Sequence, residues 1–129
     1  MTRGELSQIY WLNRELKMWQ EKKRECEYKA YPSGINNENE GMRGSVTSDK
    51  TGNIAAEIAD ITQIIDGILA RIQYQIRKVY KHIDTIEDSQ LRQIVQYRCV
   101  DCMNWEDVGD NTGITSDAAK KIFYRAYPE

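Results

Sequence analysis

Cys99-Val-Asp-Cys102 has the spacing of half a zinc site, and Lys120, Lys121 and Arg125 recur at the one- and four-residue steps that collect cations on one side of a helix. A structural zinc site needs four ligands and usually draws on two such cysteine pairs. The chain has one pair, a third cysteine at position 26, and a single histidine, His82, remote in sequence. Packing is therefore the expected role of Cys99 and Cys102, with no metal and no cofactor. An odd cysteine count also speaks against a disulfide framework. There is no glycine-rich phosphate loop, no serine or cysteine with a plausible histidine partner, and no carboxylate–histidine set at metal spacing. No catalytic residues are assigned, and the chain is not expected to be an enzyme. The cations are left to bind something.

The elements that must position those cations are legible between Asn104 and Ala126. Asn104 is a good helix cap, with Asp107 three residues on as an approximate capping-box partner and Val108 as the inward residue. Gly113 ends that helix, Ile114 packs into the angle, and Thr115 caps the next helix. Ala119, Ile122, Phe123 and Ala126 form its expected buried stripe. Two short helices joined by a glycine turn are the grammar of a helix-turn-helix, whose second helix lies in the DNA major groove. The residues expected to face DNA are Thr115, Ser116, Asp117, Ala118, Lys120, Lys121, Tyr124 and Arg125. The helix N-terminus at Thr115 and Ser116 can also meet a phosphate through its backbone amides. A preceding helix over 89–100, capped by Ser89 and with its period given by Leu91, Ile94, Val95 and Arg98 with Cys99, completes a three-helix module.

Read without a gap, Gly113-Ile-Thr-Ser-Asp-Ala-Ala-Lys-Lys-Ile-Phe-Tyr-Arg-Ala126 resembles the recognition half of bacterial sigma-factor region 4, which runs Gly-Ile-Ser, a variable stretch with Val and Lys, then Arg-Ala. Arg98-Cys-Val-Asp-Cys-Met-Asn-Trp-Glu-Asp-Val108 is similar to that family's entry into the motif. With the start Leu6-Ser-Gln-Ile-Tyr-Trp-Leu-Asn-Arg-Glu-Leu16 and the segment Ser48-Asp-Lys-Thr-Gly-Asn-Ile-Ala-Ala-Glu-Ile-Ala-Asp-Ile61, nearly the whole chain looks like the small sigma-like regulators of phages and prophages. The resemblance implies a transcriptional regulator of late-gene promoters that binds double-stranded DNA, with RNA polymerase as a further partner. Two positions depart from the pattern. Thr112 stands where the family has Leu and Gly109 where it has Ala, which leads us to expect a weaker first helix.

Upstream, Leu6, Ile9, Leu12, Leu16, Trp19 and Cys26 share one side of an amphipathic helix over 5–29. Residues 31–52, from Tyr31 to Gly52, mix Pro, Gly, Asn and Ser without a period and read as a disordered loop. From Asn53, expected as a cap, Ile58, Ile65, Ile72, Val79 and Ile86 are spaced by sevens, with Ile54, Ile61 and Ile68 at the intervening position. Beyond Ile68 that position becomes Gln75 and His82 while Leu69, Ile76 and Ile83 turn the stripe by one residue. Residues 54–86 make a rod of about 50 Å at 1.5 Å per residue. The expected architecture is all-α: a long, coiled-coil-like antiparallel hairpin over 1–86, then a helix-turn-helix module over 87–129 that leans on the end of the rod. The rod is longer than its partner, so a homodimer through the hairpins is expected to cover the remainder. His82 reads as a core or rim histidine.

Composition sets the remaining bounds. With 40% hydrophobic and 29% charged residues the chain reads as folded and soluble. No stretch approaches the ~20 apolar residues of a membrane span, and the start lacks a signal-peptide pattern, so a cytoplasmic location is expected. Residues 87–129 carry five basic residues against eight acids, a formal net of −3, whereas DNA readers are usually basic. A protein-contact role for the module, or a place in a phage DNA-packaging (small terminase-like) assembly, is therefore the alternative to DNA reading.

Overall fold

The computed structural model describes residues 1–30 and 44–129, with side chains throughout the first stretch and from Gly52 in the second. Among these residues every regular element is helical: α1 (Arg3–Leu6), α2 (Gln8–Ala30), α3 (Gly44–Thr85), α4 (Ser89–Val95), a π-helical turn (Gln96–Val100), α5 (Trp105–Thr112) and α6 (Ser116–Ala126). The fold is a helical hairpin of α2 and α3 with a small helical module, as the periodicity predicts. Two compact units divide it, one formed by residues 1–14 and 70–129 and the other by 15–69.

The unit over 15–69 is built by two helices. Cys26 of α2 and Ile61 and Ile65 of α3 are buried together, with Leu16, Trp19 and Ile58 packed against them. Helix α3 has 42 residues, about 63 Å at 1.5 Å per residue. It starts earlier than the sequence suggests. The backbone is already helical from Gly44, so Asn53 is not its cap and the expected loop over 31–52 loses its last part to α3; residues 31–43 lie outside the described residues. Extending an existing helix adds one hydrogen bond per residue fixed, and residues 44–53 contain no proline to stop it. The isoleucine seam is largely where the heptads place it, with Ile54, Ile61, Ile65, Ile68, Ile72 and Val79 buried and Ile58 and Ile86 half-buried. The predicted shift of the stripe arrives late. Leu69 remains 43% exposed, and the turn of the stripe is carried instead by half-buried Ile76 and Ile83.

The other unit has a core of Leu6, Ile9, Val79, Ile94, Val95 and Val108, extended by Cys99, Ala119, Phe123 and Tyr127. Residues from α1, the start of α2 and the end of α3 thus share one interior with α4–α6. Three short helices bury little on their own, and the two long ones supply the missing walls. The caps fall close to the predicted positions. Asn104 Oδ1 accepts from the Asp107 amide at 2.8 Å, although Asp107 makes no reciprocal bond to the Asn104 amide. Thr115 Oγ1 accepts from the Ala118 amide at 3.1 Å, and Gly113 takes the left-handed conformation at φ 77°. Ser89 is not a cap: Asp88 holds that position and accepts from the Gln90 amide, its carboxylate also suiting a helix N-terminus.

The helix predicted over 89–100 is α-helical only to Val95. Its last turn widens to a π-helix, after which Cys102 adopts a φ of 56°, a left-handed conformation that L side chains rarely take. Arg98 holds this corner, donating from its guanidinium to the Met103 carbonyl at 2.8 Å. The expected stripe of α6 also changes at its end. Ala126 is exposed and Tyr127 is buried in its place, because the chain leaves helical geometry at Tyr127 (φ −130°, ψ 78°) and turns that ring onto Phe123, 5.2 Å away.

Gly109 is a requirement and not a weakness of α5. A Cβ there would stand 2.6 Å from the Ile114 carbonyl oxygen and 3.0 Å from the Ser116 amide nitrogen, backbone atoms that cannot rotate away. The absent side chain lets α5 lie against the turn that launches α6. Gly109→Ala should therefore lower stability by about 1–3 kcal/mol, the usual cost of overpacking, against the helix-propensity gain of up to about 1 kcal/mol. Gly67→Ala, at an exposed helical position with open space around it, should raise stability by about 0.5–1 kcal/mol. Denaturant midpoints of the two variants on opposite sides of the parent check this reading; a stabilised Gly109→Ala would refute the close approach.

His82 has the core-rim role expected of it. Its Nε2 lies 2.6 Å from the Tyr127 hydroxyl. Loss of solvation, and then the positive Met1 amino group, hold the imidazole below its ordinary range, with Glu5 opposing. Neutral His82 is thus favoured in the folded chain, and the unfolded chain takes up the proton first as pH falls. This contribution to stability is complete above the ordinary histidine pKa of about 6.5 and is lost as pH drops below it. Urea midpoints at pH 7.5 and pH 5.5 should differ less in His82→Gln than in the parent; equal pH slopes would remove His82 from the account.

Candidate nucleic-acid interface

The outer face of α6 collects the predicted cations. Asp117, Lys120, Lys121, Tyr124 and Arg125 are exposed, while Ala119 and Phe123 are buried on the opposite side. Lys121 is diametrically opposite the buried stripe at 100° per residue, with Asp117 and Arg125 one turn to either side. None of Lys120, Lys121 and Arg125 has a carboxylate within 4 Å among the described residues, where the only ion pair is Arg24–Glu21. Three cationic heads thus project from an 11-residue helix whose orientation is fixed by Ala119 and Phe123.

The other predicted site residues are placed less freely. Ser116 and Ala118 are half-buried, so that only part of each can meet a ligand. Thr115 is exposed, but its hydroxyl oxygen is engaged in the cap. Asp117, in the first turn, suits the helix dipole yet adds a negative charge to the face. Tyr124 stands at its margin: the Arg3 guanidinium lies over its ring at 4.9 Å, and the rings of Trp105 and Phe123 are 6.0 and 5.6 Å away.

That margin leads to residues the sequence reading missed. Arg3, Tyr10, Trp11, Arg98 and Trp105 line a pocket with Tyr124, about 230 Å³ in volume. Arg98 lies over the Trp105 ring at 4.6 Å, the second arginine–aromatic stack of the pocket. Its residues come from α1, α2, the π-helical turn, α5 and α6, and no periodicity links positions so far apart in sequence.

The cysteine pair is divided by its surroundings. Cys99 is buried, and burial pushes its thiol up to about 12. Cys102 is half-buried and also raised, again chiefly by burial, with Asn13 Nδ2 3.5 Å from its sulfur. Among the described residues no group of three or more His, Cys, Asp or Glu side chains gathers at metal-binding distance.

Among the described residues no helix is long and apolar enough to cross a membrane. No family model, no curated protein and no solved structure matches this chain.

Proposed function

We propose that this protein is a sequence-specific DNA-binding transcriptional regulator that inserts the outer face of α6 into the major groove. The observation that carries the reading is the geometry of α5 and α6. A capped helix, a left-handed glycine and a second capped helix present Lys120, Lys121 and Arg125 outward, with no carboxylate partner among the described residues. Such cations neutralise phosphates and hydrogen-bond to guanine edges. On this reading Thr115 and Ser116 bring the N-terminus of α6 to a phosphate, and Asp117, Ala118 and Tyr124 border the bases. The protein is cytoplasmic and non-catalytic. The resemblance to sigma region 4 extends the proposal to a phage-derived regulator of late promoters acting with RNA polymerase. The hairpin is the part that assembles two copies.

Selection of bound sequences from random duplex DNA at low salt tests this directly. A recovered motif is the expected result; the absence of enrichment over several rounds would defeat sequence-specific binding. The formal net charge of −3 over residues 87–129 favours a second reading, in which the helix-turn-helix holds a protein partner. The same selection separates the two, because a protein-contact module enriches no DNA.

A further inference from the structure

The pocket beside α6 has the composition of a site for one kind of ligand. Its walls are largely aromatic, it contains two guanidinium groups, and among the described residues no aspartate or glutamate lines it. Each guanidinium lies over a ring, Arg3 over Tyr124 at 4.9 Å and Arg98 over Trp105 at 4.6 Å from the ring centroid. A guanidinium attracted to a ring still carries its planar fork of N–H donors, which can form paired bonds to a carboxylate. Arg98 spends one donor on the Met103 carbonyl. Arg3 makes no side-chain hydrogen bond or ion pair among the described residues, so its fork is unengaged. Trp11, 58% exposed, stands at the mouth with Tyr10 packed edge-on against it at 5.1 Å. A volume of about 230 Å³ is below the ~300 Å³ at which sites for drug-sized ligands begin. It suits one or two fused rings.

We propose that this pocket binds a small planar aromatic carboxylate, its ring lying among Tyr10, Trp11 and Trp105 and its carboxylate meeting the free edge of Arg3. Both halves of the ligand are needed. A simple anion would leave the aromatic walls wet, and a neutral ring would leave two cations without a counter-charge in a partly desolvated site. The inference rests on the pocket alone and holds whether or not α6 reads DNA.

The test uses the full chain and three probes: indole-3-carboxylate, its neutral carboxamide, and acetate. Indole N–H signals of Trp11 and Trp105 are followed by NMR, with Trp19, which does not line the pocket, as the internal control. The carboxylate should move both pocket signals along a saturating curve and leave Trp19 still. The carboxamide should bind at least ~10-fold more weakly, the loss expected for about 1.4 kcal/mol of charge-assisted bonding, and acetate should not saturate. Arg3→Gln should bring the carboxylate down to the affinity of the carboxamide, and Arg3→Lys, which keeps the charge but not the fork, should recover only part of the difference. Equal binding of carboxylate and carboxamide, shifts of all three tryptophans alike, or no saturation would each overturn the proposal. The comparison of probes on the unmodified chain decides it even where a variant fails to fold.

Discussion

Phe123→Ala is expected to cost about 3–5 kcal/mol, the usual range for removing a buried aromatic ring, and to unfold most of the unit that carries α6. Phe123 is 4% exposed and its ring is within 5.7 Å of three others, those of Trp105, Tyr124 and Tyr127. Removing it leaves a cavity that short helices joined by tight turns cannot close by sliding. A domain of this size is stable by only about 5–15 kcal/mol in total, so the loss is a large part of the whole. Ile122→Ala, one position away and half-buried, should cost clearly less. Urea denaturation followed by circular dichroism and by tryptophan fluorescence measures both. A Phe123→Ala variant within about 1 kcal/mol of the parent would mean that α6 is not anchored through this ring.

The second large effect is on binding. Replacing Lys121 and Arg125 by Ala should leave the fold intact, because both are exposed and neither contributes to the stripe of Ala119, Phe123 and Tyr127. Duplex binding should fall. If Arg125 neutralises a phosphate, its loss weakens all sequences alike and makes the dependence of log K on log salt shallower by about one unit. If Lys121 reads a guanine edge, its loss costs roughly 1–3 kcal/mol at one base position and relaxes selection there. A double variant that binds duplex DNA as tightly as the parent across a salt titration would transfer the function of α6 to protein contact. Asp117→Asn is the complementary measurement. It removes the one carboxylate of the face and should strengthen non-specific binding, most at low salt.

The sequence by itself determined the helical elements and most of their ends. Heptad spacing of Ile58, Ile65, Ile72 and Val79 needs no tertiary information, because the period of an α-helix decides which side chains share a face. The caps at Asn104 and Thr115 and the glycine stop at 113 are equally local, each depending on one side chain or on one backbone angle. The outward position of Lys120, Lys121 and Arg125 follows from the same period. Where boundaries were misread, neighbours of similar capacity competed: Asp88 took the cap from beside Ser89, and α3 ran back to Gly44 because an established helix extends at little cost.

Tertiary structure alone decided what crosses between elements. That Tyr127, and not Ala126, closes the stripe of α6 depends on a departure from helical geometry and on the ring of Phe123 that receives it. That Gly109 is obligatory depends on Ile114 being folded back over it, and a side chain's absence shows its purpose only once the atoms that fill the space are known. The contacts of Arg3 with Tyr124 and of Arg98 with Trp105 join residues of separate helical elements, which no single helical period relates. Local propensity acts through the backbone within a few residues, whereas packing pairs distant side chains by shape and charge, and those pairings exist only in the folded chain.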